Sequence, residues 1–347
     1  MPLSLTAPDP LGADERPALI LANLGTPAAP TARAVRPFLR EFLSDRRIVE
    51  MHPLLWRPVL EGVILRVRPR ASAAKYATIW RPGEETSRSG SPLMHYSERQ
   101  GELVQEELGE SVQVRIAMRY GQPALRRVMG ELMEAGCRRI ALMPLYPQYA
   151  ASSAGTVVDE AARFILTSRN QPEMRTIRSF ETAPAYIEAL ATALEQHWQI
   201  HGRPDPAAGE RLLLSFHSIP QAMHDAGDPY RSECERTAQF LSRRLDLPDG
   251  LAQLTFQSVF GPAAWIGPAT IDTVGELGRA GCPRLDVICP GFVSDCLETL
   301  EEINQLNRET FTTAGGGSFH YVPWGNDSDG AIAALAQQAR KVLAGWI

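Results

Sequence analysis

The sequence predicts an α/β protein built from two similar doubly wound, Rossmann-like halves, whose parallel four-stranded sheets face a cleft. Three observations carry that reading. Short apolar runs alternate with amphipathic stretches from residue 18 nearly to the end. The two halves echo each other in sequence. The chain also has 347 residues, more than one core usually absorbs. Alternating strand and helix patterns argue for parallel sheets covered by helices on both faces.

A leader bearing proline and aspartate (1–16) precedes the first strand. Runs that read as buried strands are 18–24 (ALILANL), 112–118, 139–145 and 174–180, then 211–216 (RLLLSF), 252–259, 284–289 and 319–323. Apolar residues at three- and four-residue spacing mark helices at 123–136, 185–200, 230–245, 268–281, 295–310 and 330–346. The chain divides where Gln171-Pro172-Glu173 interrupts the pattern, giving halves 17–173 and 174–347. Gly136-Cys137-Arg138-Arg139-Ile140 with Pro144 returns as Gly281-Cys282-Pro283-Arg284-Leu285 with Pro290. Any doubly wound chain produces some echoes; two related halves across a cleft is the sharper account.

Composition excludes several classes. A net charge of −5 gives no reason to expect nucleic acid as a partner. No GxGxxG follows a predicted strand and no GxxxxGK[ST] occurs, which argues against a nucleotide-dependent enzyme. The start of the chain lacks a basic region followed by an apolar stretch, so a cytoplasmic protein is expected. Five cysteines without a CxxC pair suit free thiols. Cys282, Cys289 and Cys296 recur every seven residues, but they fall in a turn, a strand and a helix, which is not the spacing of a thiolate metal site. Apart from His217, the histidines look scattered.

Residues 31–70 form a separate patch with nine arginines against four acids. Apolar residues including Phe38, Phe42, Leu54, Leu55, Trp56 and Val59 run through it at helical spacing. Two readings stand: a helical hairpin packed on the first half, or an apolar, basic lip that receives an amphiphilic anion or touches a membrane.

Ligands of open α/β sheets collect at the C-terminal ends of strands. Those ends carry Arg119 and Tyr120, Tyr146, Ser215-Phe216-His217-Ser218, Trp265, and the segment Asp295 to Glu298. Aromatics, one histidine and several carboxylates suit a large, flat, apolar ligand with polar chemistry at its centre. His217 leaves a buried strand between two serines, and imidazole can accept a proton near neutral pH or bind ferrous iron. Asp295, Glu298 and Glu302 share a helix face; solvated acids at a helix N-terminus are the alternative.

These segments resemble the ferrochelatase family over nearly the whole chain from about residue 17. The matching stretches include LANLGTP (21–27), RYGQP (119–123), PLYPQYAASSAGT (144–156), SFHSIP (215–220), TFQSVFGPAAWIGPAT (255–270) and CPGFVSDCLETLEEI (289–303). The resemblance implies the chelatase version of the two-halved fold and insertion of Fe(II) into protoporphyrin IX with release of two protons, the terminal step of haem biosynthesis. Coproporphyrin is the alternative substrate, and a non-enzymatic porphyrin or haem carrier the rival from another class. It implies His217 and Glu298 as catalytic residues and metal ligands, and Arg119, Tyr120, Tyr146, Trp265 and Asp295 as substrate-binding. It also implies a partly π-type helix after Asp295, with Glu302 turned to the site. SDCLETLEEI looks like the Gram-negative version, which favours protoporphyrin.

Two departures bear on the site. Cys296 stands where many members have histidine, which puts a ligand role there in doubt. Ala151 stands where cluster-bearing members have cysteine, so no iron–sulfur cluster and no bound prosthetic group are expected. Iron enters as substrate. The expected partners are porphyrin and ferrous iron, with peripheral membrane contact and a monomer favoured.

Overall fold

The computed structural model describes residues 16–85, 88–259, 261 and 263–347. The expected leader lies outside them except for Arg16, as do Phe260 and Pro262 of the TFQSVFGPAAWIGPAT stretch.

Among the described residues, eight parallel strands form two four-stranded sheets of matching topology. The first comprises β1 (Ala18–Asn23), β2 (Gln113–Met118), β3 (Arg139–Pro144) and β4 (Glu173–Thr176), in the order β2-β1-β3-β4. The second comprises β5 (Arg211–His217), β6 (Ala252–Gln257), β7 (Arg284–Ile288) and β8 (Ser318–Val322), in the order β6-β5-β7-β8. β1 is buried at every position because it lies inside the sheet with helices on both faces; this is why it reads as an unbroken apolar run. β4 is an edge strand, half-exposed and only four residues long, so the run expected over 174–180 ends early. In the first sheet Ile20, Ala22 and Leu142 pack under Val128, Met129 and Leu132. In the second, Leu213, Leu285 and Val287 pack with Val274, Ile303 and Phe311.

The chain separates into two compact units: 1–146, 151–179 and 335–347 form one, and 147–150 with 180–334 the other. The main boundary thus falls at 179/180, six residues beyond the expected 173/174, and two further segments change sides. Pro147–Ala150 groups with the second unit and Leu335–Ile347 with the first.

The repeated Gly-Cys element has one structural cause. Helix Leu125–Glu134 and helix Thr270–Arg279 end in the same way. Gly136 and Gly281 adopt φ +101° and +71°, and donate to the carbonyls of Met133 and Gly278. Cys137 N and Cys282 N then reach back to Leu132 O and Leu277 O, completing a Schellman cap. Each thiol closes the turn on the carbonyl two residues ahead, Arg139 O at 3.4 Å and Arg284 O at 3.1 Å. These cysteines are buried helix-stop residues.

In the 31–70 patch, helices Ala32–Leu43, Pro53–Val59 and Leu65–Ile79 flank a π-helical turn, Leu60–Ile64. Leu43, Leu60 and Leu65 form an inner core with Phe42, Trp56 and Ile64 around it. Met51, Leu54, Leu55, Val59, Val63 and Val67 face outward, Leu54 being 78% exposed. The patch is thus both a packed helical element and an apolar surface. Among the described residues no helix is long and apolar enough to cross a membrane.

Gly25, just past β1, tests the packing at a strand end. Its φ is +110°, and a Cβ there would lie 1.8 Å from Tyr120 O. Gly25→Ala is therefore expected to cost at least about 2 kcal/mol through backbone strain and overlap, read as a lowered denaturation midpoint.

Candidate active site

The residues that gather chemistry in the second unit begin at the end of β5. Leu212 to Phe216 are buried, and His217 is the first residue of the strand to emerge into a half-buried position. The neighbouring strand end is pinned to it, since Ser218 N donates to Gln257 O at 2.7 Å. His217 Nδ1 lies 2.5 Å from Ser218 O. A carbonyl only accepts, so Nδ1 carries the hydrogen and Nε2 keeps its lone pair for a proton or a metal.

Gln257 ties this corner to the next helix. Its side-chain oxygen accepts from Ser215 Oγ at 2.8 Å, and its Nε2 donates to Glu298 O at 2.7 Å. Ser258 follows in the left-handed region, φ +66°, a rare conformation for a residue with a Cβ. That turn ends β6 two residues earlier than the pattern predicts. It also aims two donors at one carboxylate: Ser258 N reaches Glu302 Oε1 at 2.6 Å and Ser258 Oγ reaches Oε2 at 2.5 Å.

Residues Glu298–Asn307 are π-helical, as the resemblance implied. Glu298 opens the element half-buried and Glu302 stands four residues on. Burial pushes the Glu302 carboxyl above the usual range; the Ser258 hydrogen bonds and the nearby His217 oppose that, and Glu298 adds to it. Glu302 thus lies within electrostatic reach of both His217 and Glu298. Cys296 lies beside Glu298, and burial first, then the Glu298 charge, drives its thiol well above its ordinary value. A thiol held protonated is a poor metal ligand, consistent with the doubt raised by the cysteine-for-histidine departure.

Asp295, just ahead of the π-helix, is held by four hydrogen bonds. Its carboxylate accepts from Thr299 Oγ1 (2.7 Å), Tyr321 OH (2.6 Å) and Asn326 Nδ2 (2.8 Å), and its backbone N–H donates to Asn326 Oδ1 (2.8 Å). Those bonds anchor the start of the π-helix and leave little capacity for a ligand. Trp265 is half-buried, and its backbone bridges to Pro220 just beyond His217.

In the first unit, Arg119 and Tyr120 follow β2 but turn inward. Arg119 forms an ion pair with Asp45 and donates to Thr156 O at 2.9 Å. Tyr120 is fully buried and donates to Asp45 at 3.0 Å, with Phe42 edge-on to its ring at 5.1 Å. The Tyr120 ring presents no exposed face in this structure. Both residues instead fasten the 31–70 helices to the strand end. Tyr146 packs against the core of the first sheet.

Comparison with known proteins decides the family. A family profile described as Ferrochelatase matches residues 16–343. Relatives named ferrochelatase include those of Aromatoleum aromaticum (50% identical, covering 97% of this chain and 90% of the relative) and Dechloromonas aromatica (48%, covering 95% and 88%). This chain belongs to the ferrochelatase family. Among solved structures it is similar to Bacillus subtilis SirB with Fe3+, at TM-score 0.52 and 13% identity over 73% of this chain and 92% of that one. A cobalt complex of the sirohydrochlorin chelatase SirB from the spizizenii subspecies gives TM-score 0.51 and 11% identity over 94% and 95%. At that identity the likeness is one of fold.

Within this ferrochelatase-family chain, Ser258 and Gln257 escaped the sequence reading although both lie in the TFQS stretch. Their roles depend on β6 ending beside β5.

The raised Glu302 carboxyl makes a signed prediction. A group whose folded pKa exceeds its unfolded value contributes stability that is full below the unfolded value and lost as pH rises through the folded one. Glu302→Gln, which can present Oε1 to Ser258 N and Nε2 to Ser258 Oγ, removes that loss. Its melting temperature relative to wild type should rise between pH 4 and pH 8; the opposite trend would show a carboxylate favoured by the fold.

Proposed function

We propose that this chain inserts Fe(II) into protoporphyrin IX, releasing two protons and forming protohaem at the end of haem biosynthesis. The observation that carries the reading is the arrangement around His217. Its free Nε2 stands within electrostatic reach of Glu302, a carboxyl pushed upward by burial and held by two Ser258 donors.

Metal insertion requires two pyrrolic N–H groups to lose protons while their lone pairs turn out of the ring plane. His217 Nε2 accepts one proton. Glu298, at the mouth of the π-helix, handles iron and the second proton, and Glu302 passes charge onward, since a carboxyl with a raised pKa is closer to balance near neutral pH. Trp265 supports the ring, and grip on remote parts of the macrocycle offsets the strain of bending it. Asp295, Arg119 and Tyr120 act as positioning residues. Iron is substrate here, and no iron–sulfur cluster takes part, in keeping with Ala151.

The test is incubation with protoporphyrin IX or coproporphyrin and ferrous iron, or zinc as surrogate, with metalloporphyrin absorbance as readout. Multiple turnovers on protoporphyrin are expected. A stoichiometric spectral shift without turnover would favour a carrier, and faster turnover of coproporphyrin would reassign the substrate. His217→Ala should abolish insertion. Glu298→Gln should lower turnover by about 10²-fold or more, whereas Glu301→Gln should stay near wild type; equal loss in both would overturn the helix-face assignment.

The lip belongs to the same proposal. Porphyrins carry propionates on an apolar ring and partition into membranes, so a surface both apolar and cationic favours their uptake. Arg40 and Arg47 are held in two-point ion pairs with Glu61 and Asp159. Arg33, Arg36, Arg46, Arg57, Arg66, Arg68 and Arg70 are exposed as well, the last four on the same helices as the exposed Leu54, Leu55 and Val67. Replacing those three apolar residues with serine should abolish binding to anionic vesicles in a flotation assay. Added salt should weaken the wild-type binding, because the charge contribution is screened within about 10 Å at 0.1 M. Unchanged flotation of the serine variant would leave the patch as packing alone.

A further inference from the structure

The structure gathers histidines that look scattered in sequence. His197 and His201 are four residues apart at the end of helix Pro184–His201, and so share a face. Asp286 and His320 are register partners on β7 and β8. The imidazoles meet there: the rings of His201 and His197 are 4.5 Å apart, His201 and His320 4.5 Å, and His197 and His320 5.0 Å. None of the four residues belongs to the site around His217.

Asp286 is fully buried, and its hydrogen bonds can be counted. Oδ2 accepts from Arg284 Nη2 at 2.7 Å and Trp198 Nε1 at 3.0 Å, which fills both its lone pairs. Oδ1 accepts from Arg284 Nε at 2.9 Å and has one lone pair left. Two ring nitrogens converge on it, His320 Nδ1 at 3.0 Å and His197 Nε2 at 3.3 Å. A single lone pair cannot serve two N–H donors well. His197 Nε2 also lies 3.4 Å from Arg284 Nη2, which can only donate, so His197 carries its lone pair at Nε2, facing an Oδ1 it cannot donate to, and the long contact to Arg284 leaves that lone pair open to an ion in its place. One cation between the two nitrogens and Oδ1 satisfies all three.

The spacing fits that occupant. Donors in a tetrahedral shell with bonds of about 2.0–2.1 Å lie about 3.3 Å apart, close to the 3.0 and 3.3 Å found here. Two imidazoles and a carboxylate suit a first-row divalent ion. We propose that His197 Nε2, His320 Nδ1 and Asp286 Oδ1 form a second divalent transition-metal site, separate from the catalytic residues, with the exposed His201 ring packed against both ligating rings. Arg284 is anchored on the carbonyls of His201 and Gly202, both at 2.7 Å, and shares the Asp286 charge. The site is therefore an exchanging one, weaker than a cage whose carboxylate serves the metal alone.

Cobalt(II) tests this without reference to activity, because its visible d–d absorption reports bound imidazole. In full-length His217→Ala/Glu298→Gln protein, which silences the proposed catalytic ligands, one equivalent of cobalt should bind in dialysis and show those bands. His320→Gln and His197→Gln, each added to that background, should abolish both signals while the metal-free melting temperature confirms folding. Either change alone in otherwise wild-type protein should leave metal-insertion turnover unaltered. Absence of cobalt binding in the double variant, or its persistence in both histidine variants, would overturn the proposal and leave a histidine stack that shares a proton.

Discussion

A carboxylate can lie beside a histidine in a half-buried corner only if donors are fixed in place before the charge arrives, and here one residue supplies two. Ser258 holds φ at +66°, a conformation disfavoured by its own Cβ, and thereby directs both its N–H and its hydroxyl at Glu302. The strained turn exists because β6 must stop beside β5, where Gln257 O takes the last backbone bond from Ser218. Gln257 then reaches forward to Glu298 O. Strand register, the His217 tautomer and the placement of two glutamates thus follow from one corner of one sheet.

The π-helical winding belongs to the same constraint. An i→i+5 turn is wider than an α turn and less favourable on its own, so it needs anchors at its start. Asp295 provides them, accepting from Thr299, Tyr321 and Asn326. In the first unit Asp45 has a comparable task, gathering Arg119 and Tyr120 so that the 31–70 helices are fastened to the end of β2. In both units a buried aspartate holds the frame and leaves reactive groups elsewhere.

Much of this was legible in sequence. Strands buried on both faces, such as β1 and β7, appear as unbroken apolar runs and were readable for that reason, whereas the half-exposed edge strand β4 gave a run read too long. The Gly-Cys repeat was readable because a Schellman cap demands glycine at one position. His217 and Glu298 were readable because they stand where a strand ends and a helix begins. What stayed hidden depends on partners far away in the chain. Nothing near Ser258 announces a left-handed serine, because the carboxylate that rewards it lies 44 residues on. Tyr120 reads as a strand-end aromatic, and only the Asp45 contact 75 residues away turns it inward. The spacing of His197 and His201 was visible, but their meeting with His320 required the register of β7 against β8.

Asp295, just ahead of the π-helix, and Glu298 and Glu302 within it differ less in kind than in what surrounds them, and this sorts their work. Asp295 has three donors from the frame and is the most constrained. Glu302 has two, both from Ser258, against a burial penalty that raises its pKa. At Glu298 the fold engages the backbone oxygen, through Gln257, at the end nearest the strand. At Glu302 burial raises proton affinity and the two Ser258 donors to the charged form oppose it. Changing the Ser258 clamp alters that balance without touching a group that meets the substrate, so this serine is where the fold tunes the Glu302 carboxyl beside His217.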